Sequence, residues 1–237
     1  MEATTTPPGR SGPAPRVVVV GDVVTARRFV DEAALHAGLV AALDRVNAEV
    51  PAIAPLARSL RDEFHGVFRD VATAAAAALR LRLATDDLVL PTEDGVDEPV
   101  ELRLGLGIGE AHVRTGAPSG SAWYHARDAR DEAEDLPRKH TWPGSLRSRC
   151  QADDASLAAV VNAYLLLQDQ LLARLDARDR RALLGLLDGE RQVDVAAELG
   201  VTQPAIARRL RDRGAVAIHR ALLELRSGAD HPGGDVG

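Results

Sequence analysis

The chain has 237 residues, a length that can bury one large hydrophobic core or two small ones. Its formal net charge of −6 excludes a general binder of polyanions, so any contact with nucleic acid must come from a local basic patch. The single cysteine, Cys150, excludes an intramolecular disulfide framework and a thiolate metal site.

The N-terminal segment and the apolar runs bear on localisation. Residues 1–15 are rich in Thr, Pro and Gly, which predicts disorder and does not fit a signal peptide. No apolar run approaches the roughly 18 residues that a membrane span requires. We therefore expect a cytoplasmic protein.

Six elements are predicted next, in the order β-α-β-β-α-β. Short β-branched or alternating runs predict strands, and apolar residues that recur every three or four positions predict helices. The strands are expected at 16–22, 51–60, 64–68 and 100–108, and the helices at 31–50 and 71–84. This order is the ferredoxin-like split βαβ pattern, in which the helices cover one face of an antiparallel sheet. The predicted fold class is therefore α+β.

The segments around the last of these strands are less regular. Residues 85–99 are acidic and contain Gly and Pro, which predicts a loop. A helix is expected over 122–135, with Ser119 or Ser121 as its cap. Residues 136–150 are predicted to be irregular or a weak edge strand.

Three glycines, Gly105, Gly107 and Gly109, alternate along the strand at 100–108 and its end. Alternating positions face the same side of a sheet, so these glycines leave one face bare. We favour a close-packed helix on that face. The alternative is a flat ligand such as a purine base.

A strongly apolar helix is predicted over 156–175. Its broad apolar face is expected to link two modules, to dimerise, or to do both. The predicted organisation is a disordered start (1–15), an α+β domain (16–150), a linker or dimerisation helix (151–175), a helix-turn-helix domain (176–226) and a disordered tail (227–237).

The segment 191–213 has the pattern of a helix, a tight turn and a second helix. Gly200 is placed to leave the first helix with positive φ, and Thr202 is placed to cap the second. Ile206 and Leu210 are four residues apart and face inward. The residues left for the outer surface of the second helix and its ends are Thr202, Gln203, Arg208, Arg209, Arg211 and Arg213.

The outer surface of that second helix suits the major groove of DNA. Gln pairs with adenine through two hydrogen bonds, and Arg binds guanine or phosphate. Residues 176–226 contain ten arginines and eight carboxylates, so this segment carries +2 while the remainder carries −8. The alternatives are a helical hairpin with a solvated arginine face and a module that contacts protein.

This C-terminal segment resembles the helix-turn-helix of sigma-factor region 4 and related bacterial regulators. The similarity extends back through 176–189, which resembles the helix that precedes the motif in those proteins. The resemblance implies an all-α DNA-binding domain and says nothing about the operator.

Two aspartates of the first domain form a candidate ligand site. Asp22 follows the first strand, and Asp62 lies at the tip of the predicted hairpin. Because these strands are neighbours in a βαββαβ sheet, the two carboxylates are expected at one sheet end, where they would suit Mg²⁺ or Mn²⁺. Glu63 is a possible third carboxylate. Each aspartate alone is equally explained as a turn or capping residue.

Three segments, 21–28, 61–66 and 103–110, resemble in order and spacing three motifs of class III nucleotidyl cyclases and are similar to the related diguanylate cyclase domains. The closest resemblance is to the SatD family, because 121–130 also resembles the SatD helix that follows the third motif. The resemblance implies a nucleotidyl-cyclase-like βαββαβ fold with metal-binding roles for Asp22 and Asp62. Arg61 stands where those cyclases have a glycine, and the alternative to a metal is that its guanidinium neutralises both aspartates. We therefore do not expect cyclase activity.

Together these features predict a bacterial DNA-binding transcriptional regulator with a degenerate cyclase-like domain that senses a nucleotide or dimerises. The expected ligand is a purine nucleotide or a cyclic (di)nucleotide, and the candidate binding residues are Asp22, Arg61, Asp62 and Glu63. The alternative is a Mg²⁺-dependent nucleotide-processing enzyme with an accessory helix-turn-helix. Because a single recognition helix makes few contacts with DNA, we expect a homodimer.

Overall fold

The computed structural model describes residues 14–59, 62–112 and 119–229. Its centre is a five-stranded sheet of β1 (Arg16–Val23), β2 (Ala54–Arg58), β3 (Phe64–Phe68), β6 (Leu102–Gly109) and β7 (Ser148–Ala152). The strand order in the sheet is β2-β3-β1-β6-β7. Strand β1 pairs antiparallel with β3 and β6, whereas β7 pairs parallel with β6, so the sheet is mixed.

The helices lie close to their predicted positions. They are α1 (Glu32–Glu49), α2 (Val71–Asp86), α3 (Ser121–Asp135), α4 (Ala155–Leu172), α5 (Ala177–Leu187), α6 (Gln192–Glu198), α7 (Gln203–Asp212) and α8 (Ala215–Ala229). In chain order, β1-α1-β2-β3-α2-β6 reproduces the predicted βαββαβ pattern.

Strand β1 is buried on both faces because helices cover both sides of the sheet. Val17 and Val19 pack into the core that includes α1 and α2. Val18 and Val20 point the other way and pack against Trp123 and neighbouring residues of α3. A run of four valines therefore suits a central strand, since both faces are apolar.

Three local predictions were wrong. Within 85–99 the chain forms a small hairpin of β4 (Val89–Pro91) and β5 (Asp97–Pro99), whose short, exposed strands lack an apolar alternation. The N-cap of α3 is Gly120 with φ 113°, and the hydroxyl of Ser121 instead accepts a hydrogen bond from the backbone N–H of Glu110. Helix α8 continues through Ala229 into the predicted tail, and its residues Ala215, Ile218 and Leu222 pack into a second core.

Helix α2 contributes to two hydrophobic cores. Ala74, Ala77 and Leu81 face the core beneath the sheet. Leu79 and Leu83 face the second core, which also contains residues of α4 to α8. Because α2 is buried on opposite sides, its surface is apolar nearly all round. Its many alanines are small and allow the neighbouring elements to approach closely. Through α5 and α8, the C-terminal helices therefore pack directly against the α+β domain.

Helix α4 corrects one sequence-based expectation. Among the described residues, Ala155–Leu172 is the one helix long and apolar enough to cross a membrane, with a mean hydropathy of 1.2. Yet Val161 and Leu165 lie in the first core, Leu172 lies in the second, and Asp169 is buried. These contacts bury one side of α4 inside the fold.

Both edge strands of the main sheet are held by asparagine side chains. On β2, the backbone N–H of Leu56 donates to Asn47 of α1, and the Asn47 amide donates to the Leu56 carbonyl, both at 2.8 Å. On β7, Asn162 of α4 makes the same pair of 2.8 Å hydrogen bonds with the backbone of Cys150. Each amide thus pairs with the edge backbone as a neighbouring strand would.

Candidate functional site

The carboxylate of Asp22 lies near the end of β1, beside an arginine from the neighbouring strand. In the β1–β6 pairing Asp22 is directly opposite Arg103. Opposite charges at such directly opposed strand positions attract one another. Arg103 Nη1 lies 3.3 Å from each carboxylate oxygen of Asp22, and 3.1 Å from Glu134 of α3. The side chains of Asp22 and Arg103 are only 17% and 14% exposed, so this is a largely desolvated pair.

A second arginine reaches the same cluster from α3. Arg130 Nε lies 4.0 Å from Asp22, and its Nη1 donates to Glu63 at 2.9 Å. Glu63 follows the β2–β3 turn, which the Ser59 N–H closes by donating to the Glu63 carbonyl at 2.9 Å. The structure therefore brings Asp22 and Glu63 to one end of the sheet.

Burial raises the pKa of Asp22 to about 6, although Arg103 and Arg130 both favour its ionised form. The nearby carboxylates of Asp62 and Glu134 raise it further. Asp62 is thus close enough to Asp22 to act on it electrostatically, as the sequence suggested. Arg61 lies outside the described residues, and Arg103 and Arg130 supply the guanidinium groups that were expected from it.

Arginines occupy the side of Asp22 on which a Mg²⁺ ion would bind. A guanidinium nitrogen faces both oxygens of Asp22 at 3.3 Å, on the atoms that a metal would ligate. Within the described ranges, no group of three His, Cys, Asp or Glu side chains is arranged to hold a metal. Charge neutralisation at Asp22 is therefore provided by arginines, and no chemical step through a metal follows from this site.

Replacing Asp22 by asparagine tests the raised pKa. The folded state holds the Asp22 proton up to about pH 6, whereas the unfolded chain releases it near 3.8. Ionisation therefore destabilises the folded protein as pH rises through this window. Asparagine cannot ionise, so the variant Asp22→Asn does not undergo this loss. The free energy of unfolding of the variant minus that of wild type should therefore grow by about 2 kcal/mol from pH 4 to pH 7, measured by urea denaturation. A difference that does not change with pH contradicts the raised pKa.

The bare face of β6 is filled by helix α3. A Cβ at Gly105 would lie 2.0 Å from the carbonyl oxygen of Ala126, and one at Gly107 would lie 2.0 Å from that of Ala122. This close approach confirms the close-packed helix. It leaves no room for a purine base over these two glycines.

The turn between α6 and α7 has the predicted backbone. Gly200 adopts φ +66°, and Pro204 lies in the first turn of α7. Thr202 occupies the N-cap position, but its hydroxyl makes no capping hydrogen bond. Ile206 and Leu210 are buried, as expected.

The arginines of α7 fall into two groups. Arg209 donates to Asp179 at 2.8 Å and also to Asp176, both in the capping box that opens α5. Arg208, Arg211 and Arg213 are exposed and form no ion pair within the described part of the chain. Arg209 thus holds α7 against α5, whereas the other three present positive charge to solvent.

The remaining polar residues at the start of α7 are also exposed. Gln203 Nε2 donates to Gln192 Oε1 at 3.1 Å, so its amide is oriented from α6. In α6, Val195 and Ala196 are buried, whereas Val193 is 50% exposed. The exposed surface at α6 and α7 therefore combines Thr202, Gln203 and three arginines.

Sequence reasoning missed Arg103 as the main partner of Asp22. The sequence does show that Arg103 lies on a strand with alternating side chains. It does not show which residue lies opposite Asp22, because the pairing register of β1 and β6 decides that. Arg130 belongs to the helix predicted over 122–135, but no contact with Asp22 was predicted for it. Its role depends on the packing of α3 on the sheet.

Comparisons with known proteins give partial structural similarities. No protein-family model matches the chain, and no curated protein matches it. The GGDEF domain of DgcB from Caulobacter crescentus, in complex with c-di-GMP, shows a TM-score of 0.38 at 15% identity over 51% of this chain and 72% of that one. The active GGEEF domain of a diguanylate cyclase from Vibrio cholerae shows a TM-score of 0.40 at 16% identity, over 52% of this chain and 78% of that one. TM-scores below 0.5 support no conclusion about this chain.

Proposed function

We propose that this protein is a DNA-binding transcriptional regulator that contacts double-stranded DNA through α7. The observation that carries the proposal is the group of exposed arginines Arg208, Arg211 and Arg213 at the α6–α7 turn-helix unit. The buried Ile206 and Leu210 orient this helix so that its basic side faces outward. A small basic surface on a chain with a net charge of −6 confines nucleic-acid binding to this region. A regulator of this kind acts in the cytoplasm.

Salt dependence provides the test. The double variant Arg208→Ala/Arg211→Ala should bind a short DNA duplex more weakly at every salt concentration. Because each phosphate contact contributes about 0.9 to the slope of log K against log [salt], the slope should fall in magnitude by about 2. Fluorescence anisotropy over a range of KCl concentrations measures both quantities.

Two controls separate charge from structure. Arg45→Ala removes an exposed arginine of α1 and should leave the affinity and the slope unchanged. Arg209→Ala breaks the contacts with Asp176 and Asp179, so it should mainly lower the melting temperature. If the double variant keeps wild-type affinity and slope, α7 does not face DNA.

We propose that the α+β domain is the regulatory part, which binds a purine nucleotide or a cyclic (di)nucleotide near Asp22, Asp62 and Glu63. Exposed Glu63 and the partly exposed Arg130 lie at the rim of this cluster, where a ligand phosphate can exchange places with a carboxylate on the guanidinium. Thermal denaturation with each nucleotide is the measurement, because a ligand at 100 times its Kd adds about 2.7 kcal/mol.

A second candidate function is Mg²⁺-dependent processing of a nucleotide at the same cluster. The placement of Asp22 and Glu63 at one sheet end favours it, whereas the guanidinium of Arg103 on Asp22 opposes it. The same denaturation series with and without Mg²⁺ distinguishes the two. A shift that requires Mg²⁺, together with turnover of the nucleotide, supports the enzyme.

A further inference from the structure

Helix α4 leaves an apolar stripe uncovered. Val161, Leu165 and Leu172 are buried against the rest of the chain, whereas Val160 and Leu167 are 62% and 64% exposed. Val160 and Leu167 are seven residues apart, about two helical turns, so they lie on the same side of α4. Ala163, between them, is also exposed. Two large apolar side chains in one row on a core helix form a surface that association would remove from water.

Charged residues flank this stripe with opposite signs. Asp153, just before α4, has a side chain that is 76% exposed, and Arg174, just after the helix, is exposed as well. Asp153 is held in place by His125 Nε2 at 3.0 Å and by the Ser121 hydroxyl at 3.4 Å. Arg174 forms no ion pair among the residues whose positions are described.

The apolar pair and the charged pair share one midpoint. The point halfway between Val160 and Leu167 falls between Ala163 and Tyr164, and so does the point halfway between Asp153 and Arg174. A two-fold axis through this point places Val160 against Leu167 of a second copy. The same axis places Asp153 opposite Arg174 of that copy, because a two-fold interface is self-complementary.

We propose that the protein forms a homodimer in which α4 packs antiparallel on α4 of a second copy, about a two-fold axis between Ala163 and Tyr164. This inference deepens the proposed function by naming the partner and the surface that pair two DNA-binding units. The interface has an apolar centre and a charged rim, as protein interfaces commonly do. Antiparallel neighbours also align opposite helix dipoles favourably.

Sedimentation of the full chain without DNA tests the association directly. Wild type should be a dimer at micromolar concentration, and Leu167→Glu should be a monomer because it places two carboxylates in the apolar centre. Val96→Glu is the matched control: Val96 is 55% exposed in the β4–β5 hairpin, and this variant should remain a dimer. A wild-type monomer overturns the proposal. So does a wild-type chain that binds lipid vesicles while remaining monomeric.

Charge reversal tests the pairing of the ends. Asp153→Arg and Arg174→Asp should each weaken the dimer, because each places like charges opposite one another. The double variant should recover most of the loss, since opposite charges face each other again. A double variant as weak as the sum of the two single variants overturns the proposed register.

Cysteine cross-linking tests the direction of the helices. Two copies of Ala163→Cys lie beside the axis, offset by about 1.5 Å along the helices, and should form an intermolecular disulfide. Ser156→Cys is exposed on the same side of α4, but its two copies are about 22 Å apart in the antiparallel arrangement and should not cross-link. Burial raises the pKa of the Cys150 thiol to about 12, so Cys150 does not compete. Efficient cross-linking through Ser156→Cys indicates parallel helices and overturns the proposal.

Because association is measured without DNA, its result is independent of the DNA-binding test. A monomer that binds DNA through α7 contradicts only the dimer. A dimer that does not bind DNA contradicts only the proposed function.

Discussion

Asp169→Ala will lower the free energy of unfolding by about 3–5 kcal/mol, because it leaves the buried guanidinium of Arg82 without its counter-charge. The side chains of Arg82 and Asp169 are 5% and 1% exposed and form a direct ion pair between α2 and α4. Asp169 also accepts hydrogen bonds at 2.7 Å from the backbone N–H groups of Arg147 and Ser148, at the start of β7. One carboxylate therefore joins two helices and an edge strand.

Urea denaturation of three variants and of wild type measures this effect. Asp169→Asn keeps an acceptor oxygen and nearly the same shape, so it should cost less than the alanine variant. Asp188→Ala removes a carboxylate from the more exposed pair with Arg80 and should cost less than about 1 kcal/mol. If the free energy of unfolding of Asp169→Ala differs from that of wild type by less than about 1 kcal/mol, the buried pair does not hold α2 against α4.

Gly107→Ala will displace helix α3 and lower the free energy of unfolding by about 3 kcal/mol or more. The added Cβ would lie 2.0 Å from the Ala122 carbonyl oxygen and 2.3 Å from the Ala126 nitrogen. Both atoms belong to the helix backbone, so no side chain can rotate away to make room. The strain can be relieved only by movement of α3 or β6.

Trp123 reports on this displacement because it is buried on α3, with its ring 5.1 Å from that of His65. We expect the fluorescence emission of Gly107→Ala to shift to longer wavelength, with a lower denaturation midpoint. Gly144→Ala is the control: its Cβ would meet nothing within 4 Å, and stability should change by less than about 1 kcal/mol. Equal stability of both variants contradicts the close packing of α3.

Local patterns were sufficient for most of the architecture. The valines of β1, the periodic leucines of α1 and the positive-φ position of Gly200 each specify their conformation within a few residues. These features depend on neighbours in the sequence. Asp22 and the hairpin residues Asp62 and Glu63 could be expected at one end of the sheet because the βαββαβ order makes β1 and β3 neighbouring strands.

The rest depends on contacts between distant segments. Whether Asp22 faces Arg103 is decided by the β1–β6 register, and a shift of one residue would place a leucine there. Sequence alone also cannot separate Arg209 from Arg208, because only the position of α5 makes Arg209 part of an internal ion pair. The two-sided burial of α2 likewise requires both cores to be present.

The asparagines at the two edges of the sheet restrict how the protein can polymerise. A foreign strand that joins an open sheet must pair with unoccupied N–H and C=O groups along its edge. At the middle of β2 and of β7, Leu56 and Cys150 already have both groups bound by Asn47 and Asn162. Two neutral side chains thus block amyloid-like strand addition at these two positions. The helices remain as the surfaces through which copies can associate.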